Sequence, residues 1–321
     1  MRTIVPGVRT LVLICFSLLL TAESFSQSIT TGNGKVEVGL GIGPLFFLGD
    51  LGGNSGVGQS TWLKDVQFPL TKLAKGIYAN VYPAEWLGFR VAINQGRLDG
   101  YDNSIKGKGG EEELRKQRNL QFRSSLLEAY AALEISPTVF IEKYDGLLGK
   151  IRPYGVVGIG VFHFNPKGEY IAPDGSSKWV PLQPLHLEGQ GFAEYPDRKP
   201  YSLTQMEIPM GFGFKYYLKE NMYVGMEVLH RQTFTDYVDD VSTAYIDNTL
   251  FAKYLTPQQT ILANQLNNRQ NLLAGSATRT MDPQRGDPTQ NDAFFSTIIR
   301  LGWRLNHQGP ELRQLRCPSF Y

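Results

Sequence analysis

Seven charged residues stand where an alternating strand would turn them to one side: Glu37, Glu128, Glu207 and Glu227, with Arg90, Arg300 and Arg304. A carboxylate facing a guanidinium group makes a bidentate, charge-assisted bond, so the set offers two chemistries. Closed on itself, it is an ion-pair network that fills an interior; open to water, it is a path for protons or ions. Paired glutamates also serve general acid/base work on glycosides, but no nucleophile or sugar-binding group accompanies these. His163 and His230 lie near strand ends, and Ser242, Asp236, Asp239 and Asp240 follow the second. Those are the residue types of a hydrolase triad. The plainer reading places the histidines at a membrane interface among Phe162, Phe164, Phe234 and Tyr237. The three aspartates lack the D-x-D-x-D-G spacing of a calcium loop and are expected to be solvated loop acids. Neither a cofactor nor a metal is expected.

A fourth candidate is KVEVGLGIGPLFFLGDL at 35–51, where Gly39, Gly41 and Gly43 alternate with apolar residues. A dinucleotide or phosphate cradle needs its glycines between a strand and the mouth of a helix. Nothing helical follows here. Val36, Val38, Leu40, Ile42, Phe46 and Leu48 hold the even positions, so one face is apolar and the other is glycine and charge. That is a half-buried strand.

The elements that must position the charged set share this pattern. LGFRVAINQGRL puts Leu87, Phe89, Val91 and Ile93 opposite Gly88, Arg90 and Asn94. NLQFRSSLLEAYAALEI puts Leu127, Ala129, Ala131, Leu133 and Ile135 opposite Ser124, Glu128 and Glu134. YSLTQMEIPMGFGFKYY and MYVGMEVLHR are joined by LKEN as a tight hairpin, with Glu207, Lys215, Glu227 and Arg231 on the side away from the methionines. AFFSTIIRLGWRL adds Arg300 and Arg304. With KGIYANVY and the less regular RPYGVVGIGVFHFNP there are about eight strands of spanning length. PAEW and LKEN are short connections, whereas the stretches from Lys167 to Lys199 and from Asp236 to Asn291 are long. Long loops on one side and short turns on the other suit a membrane barrel better than a compact soluble domain. The strand number is open by a pair, because 178–186 or 248–255 could extend a hairpin above the membrane. TPQQTILANQLNNRQNLL reads as a short helix in the last long loop, packing on the barrel mouth or docking a partner.

The fold expected is therefore all-β: a transmembrane antiparallel up-and-down barrel of about eight strands, with short periplasmic turns and long outer loops. Residues 1–26 carry Arg2 and Arg9, an apolar run from Leu11 to Leu20 and small residues at Ser24 and Ser26, the pattern of a cleaved signal peptide. The barrel is expected over 27–306 and a periplasmic tail over 307–321, with the cell outer membrane as the location. Outside the leader only Cys317 remains, so an intrachain disulfide is excluded. Arg313, Arg316 and Cys317 in the tail are candidate partner contacts. A formal net charge of +2 offers no basic field for nucleic acid.

The chain resembles the PorG-like outer-membrane proteins of the type IX secretion system. The resemblance lies in LGDL at 48–51, RNLQFRSSLLE at 118–128, PYGVVGIGVFHFNP at 153–166, LEGQG at 187–191, YSLTQMEIPMGFG at 201–213 and RQTFTDYVDDVSTAY at 231–245. It implies a non-enzymatic barrel that anchors a periplasmic ring, built from a lipoprotein and its soluble partner, to the outer membrane. The alternative is a small outer-membrane channel or transporter, in which Glu207 and Arg300 would tune conductance.

Overall fold

A computed structural model of the chain describes residues 35–51, 71–84, 86–104, 111–140, 151–219, 221–272 and 284–305. The leader and the tail, with Arg313, Arg316 and Cys317, lie outside the described residues. Eight long strands, β1 (Lys35–Leu48), β2 (Lys72–Ala84), β3 (Leu87–Tyr101), β4 (Gln121–Ile135), β5 (Ile151–Ile171), β7 (Thr204–Lys219), β8 (Met222–Thr233) and β9 (Ala293–Arg304), run antiparallel. A short β6 (Ser177–Pro181) pairs only with the outer part of β5. Pairing of β9 with β1, from Glu37 opposite Arg304 to Leu48 opposite Ala293, closes the sheet on itself. The result is a closed eight-stranded antiparallel barrel with β6 as a hairpin above it.

Closure and alternation together fix what each face meets. Leu40, Ile42, Ile77, Phe89, Val91, Ile93, Ile159 and Phe212 point outward, each more than half exposed. A soluble monomer rarely leaves more than a few hundred Å² of contiguous apolar surface in water. In a bilayer that surface carries no penalty, and the closed antiparallel ladder pairs strand with neighbouring strand around the wall. The chain is an outer-membrane β-barrel, and its exterior belt is the lipid-facing surface. Among the described residues no helix is long and apolar enough to cross a membrane. Proline at 209 is tolerated because β7 keeps its register with β5 across it, from Met210 opposite Val157 to Glu207 opposite Gly160.

The strand ends place short turns at one rim, between β2 and β3 and between β7 and β8, and long connections at the other. At the outer rim the connections fold inward into a cap. α1 (Glu111–Arg118) sits between β3 and β4, and α2 (Pro257–Asn267) between β8 and β9. Thr256 and Gln259 form a capping box that starts α2. Its buried Ala263 and Leu266 join Leu45, Leu98, Phe122, Phe162, Phe164, Leu187, Val238, Phe251 and Phe294 in one apolar cluster. This helix therefore packs on the barrel mouth. Of the two possible extensions above the membrane, 177–181 is a strand and 248–254 is helical.

Candidate functional site: the lumen and the outer cap

The inward face of β1 is glycine at 39, 41 and 43 because bulkier neighbours lean over it. A Cβ on Gly39 would stand 2.3 Å from the Tyr78 hydroxyl, and one on Gly43 would stand 1.9 Å from the Thr297 carbonyl oxygen. Gly39 and Gly41 admit the Tyr78 and Ile298 side chains, Gly43 lets the β9 backbone come close, and no helix follows them.

Opposite charges then alternate in one chain across the periplasmic half of the lumen. Arg304 donates to Glu37 at 3.2 Å, and Lys215 bridges Glu37 at 2.9 Å and Glu134 at 2.5 Å. Arg90 donates to Glu134 through one nitrogen and to Glu227 at 2.5 Å through the other, and Arg300 closes the series on Glu227. The remaining lone pairs are filled by hydroxyls and amides. Tyr82 donates to Glu134 at 2.5 Å, Asn80 to Glu134 at 3.1 Å, and Tyr154 to Glu227 at 2.9 Å. The Arg300 guanidinium lies 4.3 Å from the centre of the Tyr78 ring, and the Tyr78 and Tyr223 hydroxyls meet at 2.8 Å. A buried ion pair is stable only when its geometry is good and its leftover valences are met; here nearly all are.

Nearer the outer rim, Arg231 grips Glu128 with two nitrogens, at 3.0 and 3.1 Å, and also donates to Ser296. Asn94 donates to the same carboxylate at 2.7 Å. Glu207 differs from the rest of the expected network. It is fully buried, neither carboxyl oxygen has a hydrogen-bond partner, and Glu128 and Arg231 are the charges that act on it. So Glu37, Arg90, Glu227, Arg300 and Arg304 share one network, Glu128 belongs to a second, and Glu207 makes no ion pair. The missing members, Glu134, Lys215 and Arg231, were on inward positions of the sequence pattern. The tyrosines were not separable by pattern, since a tyrosine suits both a lumen and an interface.

The histidines and Ser242 are not brought together as a triad. His163 and His230 share the exterior face of β5 and β8, and His163 Nδ1 lies 3.0 Å from the Thr204 hydroxyl. Ser242 is buried in the cap. Phe162 and Phe164 turn inward to the apolar cluster and do not surround the histidines.

The loop acids depart furthest from expectation. Asp239 and Asp240 are fully buried and Asp236 nearly so; they are not solvated. Around them lie Asp50, Asp102, Glu188 and Asp292, drawn from the β1 exit, the β3 exit, the β5–β7 connection and the β9 entry. Glu188 accepts from Arg285 at 2.8 Å, from the Ser242 and Thr243 backbone N–H groups and from the Thr243 hydroxyl at 2.7 Å. Arg118 pairs with Asp102 at 2.8 Å and donates to the Asp50 and Arg285 carbonyls. Burial raises the other acids, and neighbouring carboxylates add to it: Asp236 to about 9 and Asp50 to about 6, the latter held back by Arg118. Asp240 rises to about 7, burial outweighing the Arg285 guanidinium beside it. Asp239 and Asp292 are pushed up in the same way by burial and by their acidic neighbours.

No protein-family model matches the chain, and no curated protein matches it. Solved structures similar to it are outer-membrane proteins. A major outer membrane protein from Thermus thermophilus is 11% identical with a TM-score of 0.36, covering 85% of this chain and all of that one. OprG from Pseudomonas aeruginosa is 12% identical with a TM-score of 0.35, over 85% of this chain and 96% of that one. Ail, the attachment invasion locus protein of Yersinia pestis, is 8% identical with a TM-score of 0.32, over 85% and 97%. At such identities and scores no residue role passes to this chain. The barrel assignment rests on its own closed register and apolar exterior.

Proposed function

We propose that this barrel is a non-enzymatic component of a protein secretion system of the type IX kind, anchoring periplasmic ring machinery to the outer membrane. The observation that carries the reading is the filled interior. Alternating ion pairs span the lower lumen, a second pair follows, and an apolar cluster built from the outer loops covers the mouth. A barrel of eight strands has room for side chains and little else, so its working surfaces are its rims and its wall. The resemblance of six scattered stretches to PorG-like proteins supplies the partner class: a ring lipoprotein and its soluble companion, which contact the periplasmic rim and the tail around Arg313, Arg316 and Cys317.

The test is to insert an affinity tag within residues 52–70, extract envelopes in mild detergent, and identify what co-purifies on reducing and non-reducing gels. Stoichiometric periplasmic ring proteins, lost when residues 307–321 are deleted, are the expected outcome. A clean monomer from cells that carry such ring proteins contradicts the reading. The alternative, a small channel, draws on Glu207, the one lumen carboxylate of the expected set that makes no ion pair; it predicts steady conductance altered by Glu207→Gln or Arg300→Ala.

A further inference from the structure

The exterior of the wall is not charged evenly around its outer edge. Ladder register sets Asp99, Arg123 and Lys167 side by side on β3, β4 and β5, with Arg97 beside Ser125 one row nearer the apolar belt. Lys75 on β2 stands opposite Gln95 and is exposed. Among the described residues, the outward positions on the outer halves of β7, β8 and β9, such as Met206, His230, Gln232 and Phe295, hold no lysine or arginine. Asp99 turns outward by the alternation of β3, yet its side chain is 1% exposed because cations close over it. Arg97 lies 2.9 Å from one of its oxygens, and Lys72 and Arg123 lie 3.4 and 3.8 Å from the other. One carboxylate cannot neutralise three cations. Lys167 has no carboxylate within ion-pair distance among the described residues, and its neighbour Glu169 accepts from the Gln121 amide at 2.8 Å. Lys72, Arg97, Arg123 and Lys167 therefore leave two positive charges beyond those that Asp99 and Glu169 offset. The Arg97 and Arg123 side chains remain 43% and 33% exposed.

We propose that this patch binds a diphosphorylated glycolipid of the outer leaflet, of the lipid A class, with phosphates on Arg97, Arg123 and Lys167 and acyl chains along Ile93, Leu127 and Val161. Those three apolar residues lie on the same strands as the cations and are each about half exposed, so the lipid-facing belt runs up to the patch. A cation facing lipid is costly at the midplane and nearly free at the interface, which puts the patch at headgroup depth. Long connections mark this rim as the outer one. Guanidinium forks match phosphate oxygens, and the Arg123 guanidinium is steadied 4.0 Å from the centre of the Trp179 ring. The cations stand on four adjacent strands, β2 to β5, which at a spacing of about 4.8 Å span about 14 Å. That is wider than one phosphate, and it favours a headgroup with phosphates at both ends over the single phosphate of a phospholipid. The site depends on the barrel and its membrane level, and not on the secretion reading.

The experiment titrates the refolded full chain, in zwitterionic detergent micelles, with diphosphoryl lipid A and counts bound lipid by native mass spectrometry. Parallel titrations use the same lipid with its phosphates removed and phosphatidylglycerol, and a competition uses inorganic phosphate at matched ionic strength. One diphosphoryl lipid A is expected to stay bound, held more tightly than either other lipid and not displaced by inorganic phosphate. Arg123→Gln and Lys167→Gln should each weaken it about fivefold, the weight of one cation at a lipid surface. Lys253→Gln, which removes an exposed cap lysine paired with Glu194, should leave it unchanged. Should Arg123→Gln fail to fold, Lys167→Gln, which breaks no ion pair, carries the comparison. Equal retention of the dephosphorylated lipid overturns the proposal, and so does equal retention of phosphatidylglycerol, which would make the patch a general anionic surface. Displacement by inorganic phosphate would assign it to the free ion instead, and affinity unchanged in Lys167→Gln or equally weakened in Lys253→Gln would remove the patch from the binding site.

Discussion

In the lumen five carboxylates, of Glu37, Glu128, Glu134, Glu207 and Glu227, face five cationic side chains, those of Arg90, Lys215, Arg231, Arg300 and Arg304. In the cap, among the described residues, the carboxylates of Asp50, Asp102, Glu188, Asp236, Asp239, Asp240 and Asp292 lie around two guanidinium groups, those of Arg118 and Arg285. Both regions are buried, so the contrast is one of compensation. The lumen neutralises its charge with covalently attached partners, at positions fixed by strand register. The cap leaves part of its charge to protons, since burial and acidic neighbours push the carboxyls of Asp236, Asp239 and Asp292 up. A wall component that must stay closed is served by the first arrangement, and a lid that answers to its surroundings by the second.

Removing Arg90 should break the comparison most severely. It joins Glu134 to Glu227, so Arg90→Ala leaves two buried carboxylates without their shared cation and should cost about 3–5 kcal/mol. The measurement is urea unfolding of the refolded barrel in detergent, followed by its heat-modifiable gel mobility. A loss under about 1 kcal/mol would mean that the lumen is wet and the pairs screened. Arg304→Ala, at a side chain 15% exposed, should cost clearly less in the same assay.

The next effect is a divergence with pH. Asp236, Asp240 and Asp50 hold their protons up to about 9, about 7 and about 6 in the folded cap. Unfolded aspartates release theirs near pH 4. Between those limits the folded cap binds more protons than the unfolded segment, so cap stability falls as pH rises. Hydrogen exchange of residues 234–250 should therefore speed up between pH 5 and pH 9 beyond the intrinsic chemical change. Exchange that stays flat over this interval after that correction would show that the acids are ionised in the fold as they are in the unfolded chain. Asp292→Asn should flatten the same trend, because it removes one of the competing acids.

The smallest effect is expected at Glu207. With neither oxygen bonded, Glu207→Gln removes no hydrogen bond and should change stability by less than about 1 kcal/mol. A larger destabilisation would place an ion pair with Arg231 where none is drawn.

How much of this was legible in the sequence differs between the two regions. A strand turns alternate residues to opposite faces, so Leu40 and Ile42 outside and Glu37 inside could be read directly, as could Phe89 against Arg90 and Met226 against Glu227. Short connections at 85–86 and 220–221, set against long ones elsewhere, gave the two rims. Pairing partners could not be read, because the register of a closed sheet is set by contacts between strands far apart in sequence. Arg90 reaching Glu227 and Lys215 reaching Glu37 are of that kind. The cap was misread for another reason. In DYVDDVS the acids have no periodicity to mark them as buried, and a loop of that composition ordinarily faces water. It is buried here because Phe251, Leu266 and Leu187, distant in sequence, fold over it.

The measurement that tests the closed lumen most directly is planar-bilayer recording of the purified, refolded full-length barrel at neutral pH. The filled interior predicts a silent bilayer after insertion has been verified by protease protection. Steady single-channel conductance, shifted by Arg300→Ala, would contradict it and make the channel reading the right one.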